Sequence, residues 1–142
     1  MSTYADTSFI ASLYLLDAHS RRAAGRMKNA SLPILMTPLG ELELLNALSL
    51  RLFRKELELP AIEGAYALFE ADLVEGVVQR APLPSDAYEQ AARIAQRHTP
   101  RLGTRTLDVL HVASALTLSA RTFYTFDRRQ RVLAKREGLI VP

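Results

Sequence analysis

Short runs of β-favouring residues alternate with longer stretches in which apolar positions recur every three or four residues. PILMT at 33–37 reads as a buried strand; STYAD at 2–6, residues 77–81, TFYTF at 122–126 and LIV at 139–141 read as shorter ones. Between them the pattern predicts helices over about 8–15 and from Asp17 to about 29. A third starts at Thr37 and Pro38, a cap residue followed by proline at the first helical position, and runs through ELELLNALSLRLFRK. Pro60 opens a fourth, in which Ile62, Tyr66, Phe69 and Leu73 recur at helical spacing as a core-facing stripe. Pro84 and Ser85 open a fifth that reaches about His98, with Pro100 and Gly103 predicted to end it before Arg101. Thr104 or Thr106 caps a sixth through TLDVLHVASALTL, and residues 128–137 form a last one with Gly138 as its stop.

Strands that alternate with helices imply an α/β fold, a parallel sheet with helices on both faces. In such sheets sites form beyond the carboxyl ends of the strands, so the residue after each strand is the place to look. The length of 142 residues suits one domain spanning the whole chain. The absence of cysteine excludes disulfides and cysteine-based zinc sites and fits a reducing compartment. No run approaches the roughly 20 apolar residues that span a bilayer, and no basic segment precedes the first apolar one. The expectation is a soluble cytoplasmic protein that does not contact a membrane. The net charge of +3 is unevenly spread: residues 41–90 carry four basic and ten acidic groups, residues 91–142 ten basic and three acidic. Charge alone leaves two readings open, solvated helix faces and a surface for phosphate backbones.

The acidic residues narrow the choice. Asp6 follows the first strand and Asp127 follows TFYTF, although each taken singly reads equally well as a helix N-cap. Glu43 lies in LGELELLNAL and Asp108 in TLDVLHVASAL, both strongly apolar helices. A carboxylate in such a helix is costly unless it is paired, hydrogen-bonded or bound to metal, or unless, as Asp108 allows, it sits near an exposed helix start. If Asp6, Glu43, Asp108 and Asp127 converge, they raise one another's pKa, and a hard divalent cation is the natural compensation.

The stretches 4-YADTSFI-10, 43-ELLNAL-48, 106-TLDVLHVASAL-116 and 124-YTFDRRQRVLAKREGL-139 resemble, in order and over nearly the whole chain, the motifs of the PIN-domain family, in particular its VapC-type toxin ribonucleases. The resemblance implies a three-layer α/β/α fold with a short central parallel sheet of four to five strands. It implies a metal-dependent endoribonuclease, the toxin of a type II toxin–antitoxin pair, in which activated water hydrolyses RNA phosphodiesters. It assigns Asp6, Glu43, Asp108 and Asp127 as catalytic residues that hold one or two Mg²⁺ or Mn²⁺ ions. Ser8 matches a hydroxyl that supports the first aspartate, Thr125 a hydrogen-bond donor, and Asn46, one turn beyond Glu43, a residue that orients that carboxylate. The implied partners are RNA, an antitoxin whose C-terminal tail covers the site, and a second copy of the chain. Two departures stand out. STYAD is less apolar than the usual first strand, and RRQR follows Asp127 where many relatives carry a further acidic residue or Asn, which bears on a second metal.

Arg105, Arg128, Arg129 and Arg131 are candidates for RNA contact, as is the series Arg93, Arg97, Arg101 and Arg105; solvated faces explain them as well. His111 reads as a packed, hydrogen-bonded histidine rather than a general base, and His19 and His98 as surface residues. No zinc-protease spacing, P-loop or serine-nucleophile signature is present. Two other classes stay open. One is a PIN-fold RNA-binding module with little catalysis. The other is a phosphatase or receiver-type domain using Asp6 as phosphorylated nucleophile, against which Ser8 stands where a second aspartate is usual.

Overall fold

The computed structural model describes residues 2–142. Four strands, β1 (Thr3–Ala5), β2 (Ile34–Met36), β3 (Val78–Arg80) and β4 (Thr122–Tyr124), form one parallel sheet in the order β3-β2-β1-β4. Parallel neighbours need crossovers, and helices supply them. The helices α1 (Thr7–Tyr14) and α2 (Ser20–Met27) link β1 to β2, and α3 (Pro38–Phe53) and α4 (Leu59–Val74) link β2 to β3. The helices α5 (Asp86–Leu102) and α6 (Thr106–Thr117) lead to β4, and α7 (Arg128–Arg136) follows it.

Alternation along the strands divides the core in two. Ala5 and Tyr124 face a cluster with Phe9, Ile10, Leu44 and Phe69 from α1, α3 and α4. Their neighbours Tyr4 and Phe123 face a cluster with Ile94, Val112 and Leu133 from α5, α6 and α7. The result is three layers, as expected, with the predicted α4 stripe on the first core: Phe69 is buried and Ile62, Tyr66 and Leu73 pack beside it. The chain runs outward from β1 to β2 and β3, then returns to place β4 on the other side of β1. The loops after β1 and β4 therefore diverge and leave a crevice at their carboxyl ends.

Several expected boundaries shift. The run 139–141 contributes one parallel bridge, Thr122 to Ile140, rather than a full strand. Helix α2 starts at Ser20 with His19 as its N-cap; Asp17 accepts the His19 N–H at 2.7 Å before the helix begins. Helix α5 continues through Pro100 to Leu102 and so contains Arg101. Proline forfeits only its own N–H bond there, and the helix stops where Gly103 turns left-handed at φ 62°. The N-cap of α6 is Arg105 rather than either threonine, because Asp108 reaches back to accept its N–H at 3.0 Å. Gly138, at φ 87°, ends α7 as predicted.

Candidate active site

Asp6 ends β1 and caps α1, and it is fully buried. Its Oδ1 accepts the Phe9 N–H at 3.0 Å and the Ser8 hydroxyl at 2.7 Å; its Oδ2 accepts the Thr125 hydroxyl at 2.6 Å. The two hydroxyls join Asp6 to the loop after β4, Ser8 from the α1 side and Thr125 from that loop itself. Ser8 Oγ accepts the Phe126 N–H at 3.0 Å, and Thr125 Oγ1 accepts that of Asp127 at 2.9 Å. The expected supporting roles of Ser8 and Thr125 thus have a geometric basis: two side chains bind the loops after β1 and β4 to one carboxylate. Burial nevertheless raises the Asp6 pKa above its ordinary value, against the lowering by Thr125, Phe9 and Ser8.

Glu43 stands on α3, the first helix after β2. Its Oε1 accepts the Thr7 hydroxyl at 3.0 Å and is hydrogen-bonded to His111 Nε2. His111 is buried in α6, and its Nδ1 lies 2.7 Å from the buried Tyr4 hydroxyl. A carboxylate only accepts, so Nε2 carries the proton, and in the neutral ring Nδ1 accepts from Tyr4. Burial would raise the Glu43 pKa, but the His111 and Thr7 contacts outweigh it and hold the carboxyl below its usual range. Burial pushes the Tyr4 phenol far above its ordinary value.

Asp108, buried near the start of α6, and Asp127, the N-cap of α7, share a partner. Arg105 donates Nε to Asp108 Oδ2 at 3.0 Å, Nη2 to Asp108 Oδ1 at 3.1 Å, and Nη2 to Asp127 Oδ2 at 3.1 Å. Hydrogen bonding and charge from Asp108, with Asp127 behind it, hold the guanidinium pKa above its ordinary value. Asp127 Oδ1 accepts the Gln130 N–H at 2.9 Å, so its capping role coexists with its place in the site.

Glu43, Asp108 and Asp127 open onto one cleft of about 470 Å³ together with Thr7, Ser8, Arg105 and Gln130, and Asp6 lies behind Thr7 and Ser8. A second cleft of about 530 Å³, lined by Arg22, Arg26, Asn29 and Tyr124, holds no acidic side chain. The carboxylates and hydroxyls of the acidic cleft offer oxygen ligands, the set a hard divalent cation prefers. Asp6 carries the burial cost of an anion with only neutral donors on it, and the Gln130 Oε1 is buried without a hydrogen-bond partner. These features fit Mg²⁺ or Mn²⁺. Among the described residues no three His, Asp or Glu are already drawn together as a metal cage, and Arg105 lies between two of the carboxylates.

Other expected residues fall outside this cluster. Asn46 is exposed; Thr7 and His111 hold Glu43 in its place. Thr7 was legible only as the middle letter of DTS, and His111 as a residue one turn after Asp108 on a buried face. Arg128 and Arg129 are exposed on the first turn of α7, beside Asp127. His19 and His98 are half-buried rather than free on the surface: His19 stacks on Phe126 with centroids 4.6 Å apart, and His98 bonds Glu137 at 2.8 Å. Leu107, one of the apolar residues of TLDVLHVASAL, is exposed at the rim of the cleft.

The fold is shared with solved structures. VapC20 of Mycobacterium tuberculosis, a sarcin–ricin loop cleaving toxin, is 22% identical over 92% of this chain and 94% of its own, with a TM-score of 0.70. FitAcB of Neisseria gonorrhoeae is 16% identical over 98% and 95%, with a TM-score of 0.68. VapBC2 of Rickettsia felis, bound to a DNA fragment from its promoter, is 14% identical over 100% and 98%, with a TM-score of 0.67. No curated protein matches the chain in sequence. The PIN domain model matches residues 3–136, which is nearly the whole chain, and with the parallel sheet, the crevice beside β1 and the four acidic residues around it, the chain belongs to the PIN-domain family.

Proposed function

We propose that this protein is a metal-dependent endoribonuclease, the toxin of a toxin–antitoxin pair. The observation that carries the reading is the acidic cleft. Glu43, Asp108 and Asp127, from three different helices or their caps, open onto one crevice beside a buried Asp6 whose hydrogen-bond donors are all neutral. Asp108, Asp127 and Glu43 would hold the metal, and Asp6 would act on it directly or through water. A bound divalent cation supplies Lewis acidity for hydrolysis of a phosphodiester by water. The chain's own contribution is placement: Thr125 and Ser8 fix Asp6, His111 and Thr7 fix Glu43, and the start of α7 fixes Asp127. Arg128 and Arg129, exposed on the first turn of α7 beside Asp127, would meet a phosphate backbone bound at the cleft.

The similarity to VapC20, a sarcin–ricin loop cleaving toxin, supports a nuclease, and the resemblance to VapC-type toxins, with the similarity to VapBC2, supports an antitoxin partner. A homodimer and a cytoplasmic location complete the reading; among the described residues no helix is long and apolar enough to cross a membrane. A phosphorylated Asp6 is disfavoured because that carboxylate is fully buried, with both oxygens engaged. The test is cleavage of RNA by purified protein with Mn²⁺ or Mg²⁺, beside chelator and Asp6→Asn controls. Loss of a ligand should lower the rate about 100-fold or more, as several kcal/mol of charge stabilisation implies. Equal cleavage by the Asp6→Asn protein would sink the assignment.

A further inference from the structure

Arg105 makes an arrangement that catalysis by the carboxylates alone leaves unexplained. Its side chain is 61% exposed, yet its guanidinium grips Asp108 with two bonds and Asp127 with a third. It thereby joins the starts of α6 and α7 with a single positive charge. The backbone of Arg105 is fixed, because its own N–H donates to Asp108 Oδ2 at 3.0 Å. The side chain is a flexible arm on a fixed base at the mouth of the cleft. The guanidinium stays in water while the Asp108 carboxylate is buried, so the arm leaves at small cost where another cation takes its place on the carboxylates.

A divalent cation at the same carboxylates competes with the guanidinium for the same oxygens and repels it. Displaced from Asp108 and Asp127, the fork remains tethered beside the cleft. Its planar pair of donors suits a phosphate as well as it suits a carboxylate.

We propose that Arg105 is an internal cation with two stations. In the metal-free protein it holds Asp108 and Asp127 together; with metal bound it yields them and clamps an RNA phosphate. The proposal rests on the reading that the acidic cleft binds a divalent cation. It separates two properties that a static brace would move in the same direction. Loss of Arg105 removes a competitor for the metal, and it also removes a contact to the substrate.

The experiment is calorimetric titration of Mn²⁺ into the wild-type, Arg105→Gln and Arg121→Gln proteins, with thermal melts in chelator. Arg121 is exposed and just precedes β4, at the opposite edge of the sheet, so its replacement controls for overall charge. The Arg105→Gln protein should bind Mn²⁺ roughly 3- to 10-fold more tightly than wild type. Without metal it should melt about 2–4 °C lower. Arg121→Gln should match wild type in both. With Mn²⁺ present, Arg105→Gln should also bind a short phosphorothioate RNA roughly 3- to 10-fold more weakly. Equal or weaker Mn²⁺ binding by Arg105→Gln, with wild type binding normally, would overturn the two-station role and leave the metal site standing. Absence of Mn²⁺ binding by every protein would overturn the metal site and this role with it. Should Arg105→Gln fail to fold, Arg105→Lys, which keeps the charge and loses the fork, should bind Mn²⁺ more tightly than wild type; unchanged affinity would overturn the role.

Discussion

The two walls of the acidic cleft hold their carboxylates by different means. On the β1 and α3 side, Asp6 and Glu43 are fixed by neutral donors and a buried histidine: Ser8, Thr125 and the Phe9 N–H on one, Thr7 and His111 on the other. On the α6 and α7 side, Asp108 and Asp127 are bridged by the guanidinium of a solvent-exposed arginine. Hydrogen bonds to side chains packed in or against the core keep their geometry whether or not a cation is present, since the packing holds the donors in place. An exposed arginine is exchangeable. One wall is therefore preformed, and the other is closed by a residue that can leave. A cleft that must stay intact when empty and accept a divalent ion when filled needs both kinds of support.

The comparison breaks most sharply at His111. Replacing His111 by Ala removes the partner of both Tyr4 and Glu43 from the core and leaves a cavity. The expected loss is about 2–4 kcal/mol of stability in urea titration. Mn²⁺ affinity should fall about 10- to 100-fold, as it does when a residue that orients a ligand is removed. If the variant binds Mn²⁺ as wild type does, the preformed wall is irrelevant to the metal.

Thr125→Val comes next. It preserves shape while unpairing Asp6 Oδ2 and the Asp127 N–H, and it removes one of the two hydroxyls, with that of Ser8, that link the two walls. Stability should fall by roughly 1–3 kcal/mol, read as a lower urea midpoint with an unchanged slope. A neutral result would show that Ser8 alone holds the loops.

The smallest effect is in pH dependence without metal. Burial raises the Asp6 pKa, so the stability it contributes is present below its unfolded value and lost as pH rises through the folded one. The His111 contact lowers the Glu43 pKa, so its contribution is present above the unfolded value and lost as pH falls through the folded one. Melting curves in metal-free buffer from acid to neutral pH should show both slopes. Glu43→Gln should flatten the loss on the acid side, and Asp6→Asn the loss as pH rises; the reverse assignment would contradict the hydrogen bonding described for the two residues.

Much of the frame is legible in the sequence because its causes are local. Runs such as PILMT and TFYTF bury both faces and so read as strands of a covered parallel sheet; Pro38 and Gly138 mark helix ends by their backbone constraints; Asp6 and Asp127 follow strands and cap helices within three residues of themselves. That alternation of strand and helix puts Asp6 and Asp127 at the carboxyl edge, whereas Glu43 and Asp108 stand out only as carboxylates in apolar helices. The supports of those carboxylates are long-range. Tyr4 meets His111 across 107 residues and Thr125 meets Asp6 across 119, and no periodicity encodes which distant element packs there. Asn46 matched a motif position but faces solvent, because the packing of α3 left Thr7 and His111 nearer to Glu43. Pro100 reads as a stop, yet α5 runs past it, since one missing N–H bond in the last turn costs less than loss of packing against α6 would. The chain by itself determined the layers, the edge and the four acids. Tertiary structure decided how a histidine and three hydroxyls fix one wall while an arginine closes the other, because those contacts are set by proximity in the folded core and not by spacing along the chain.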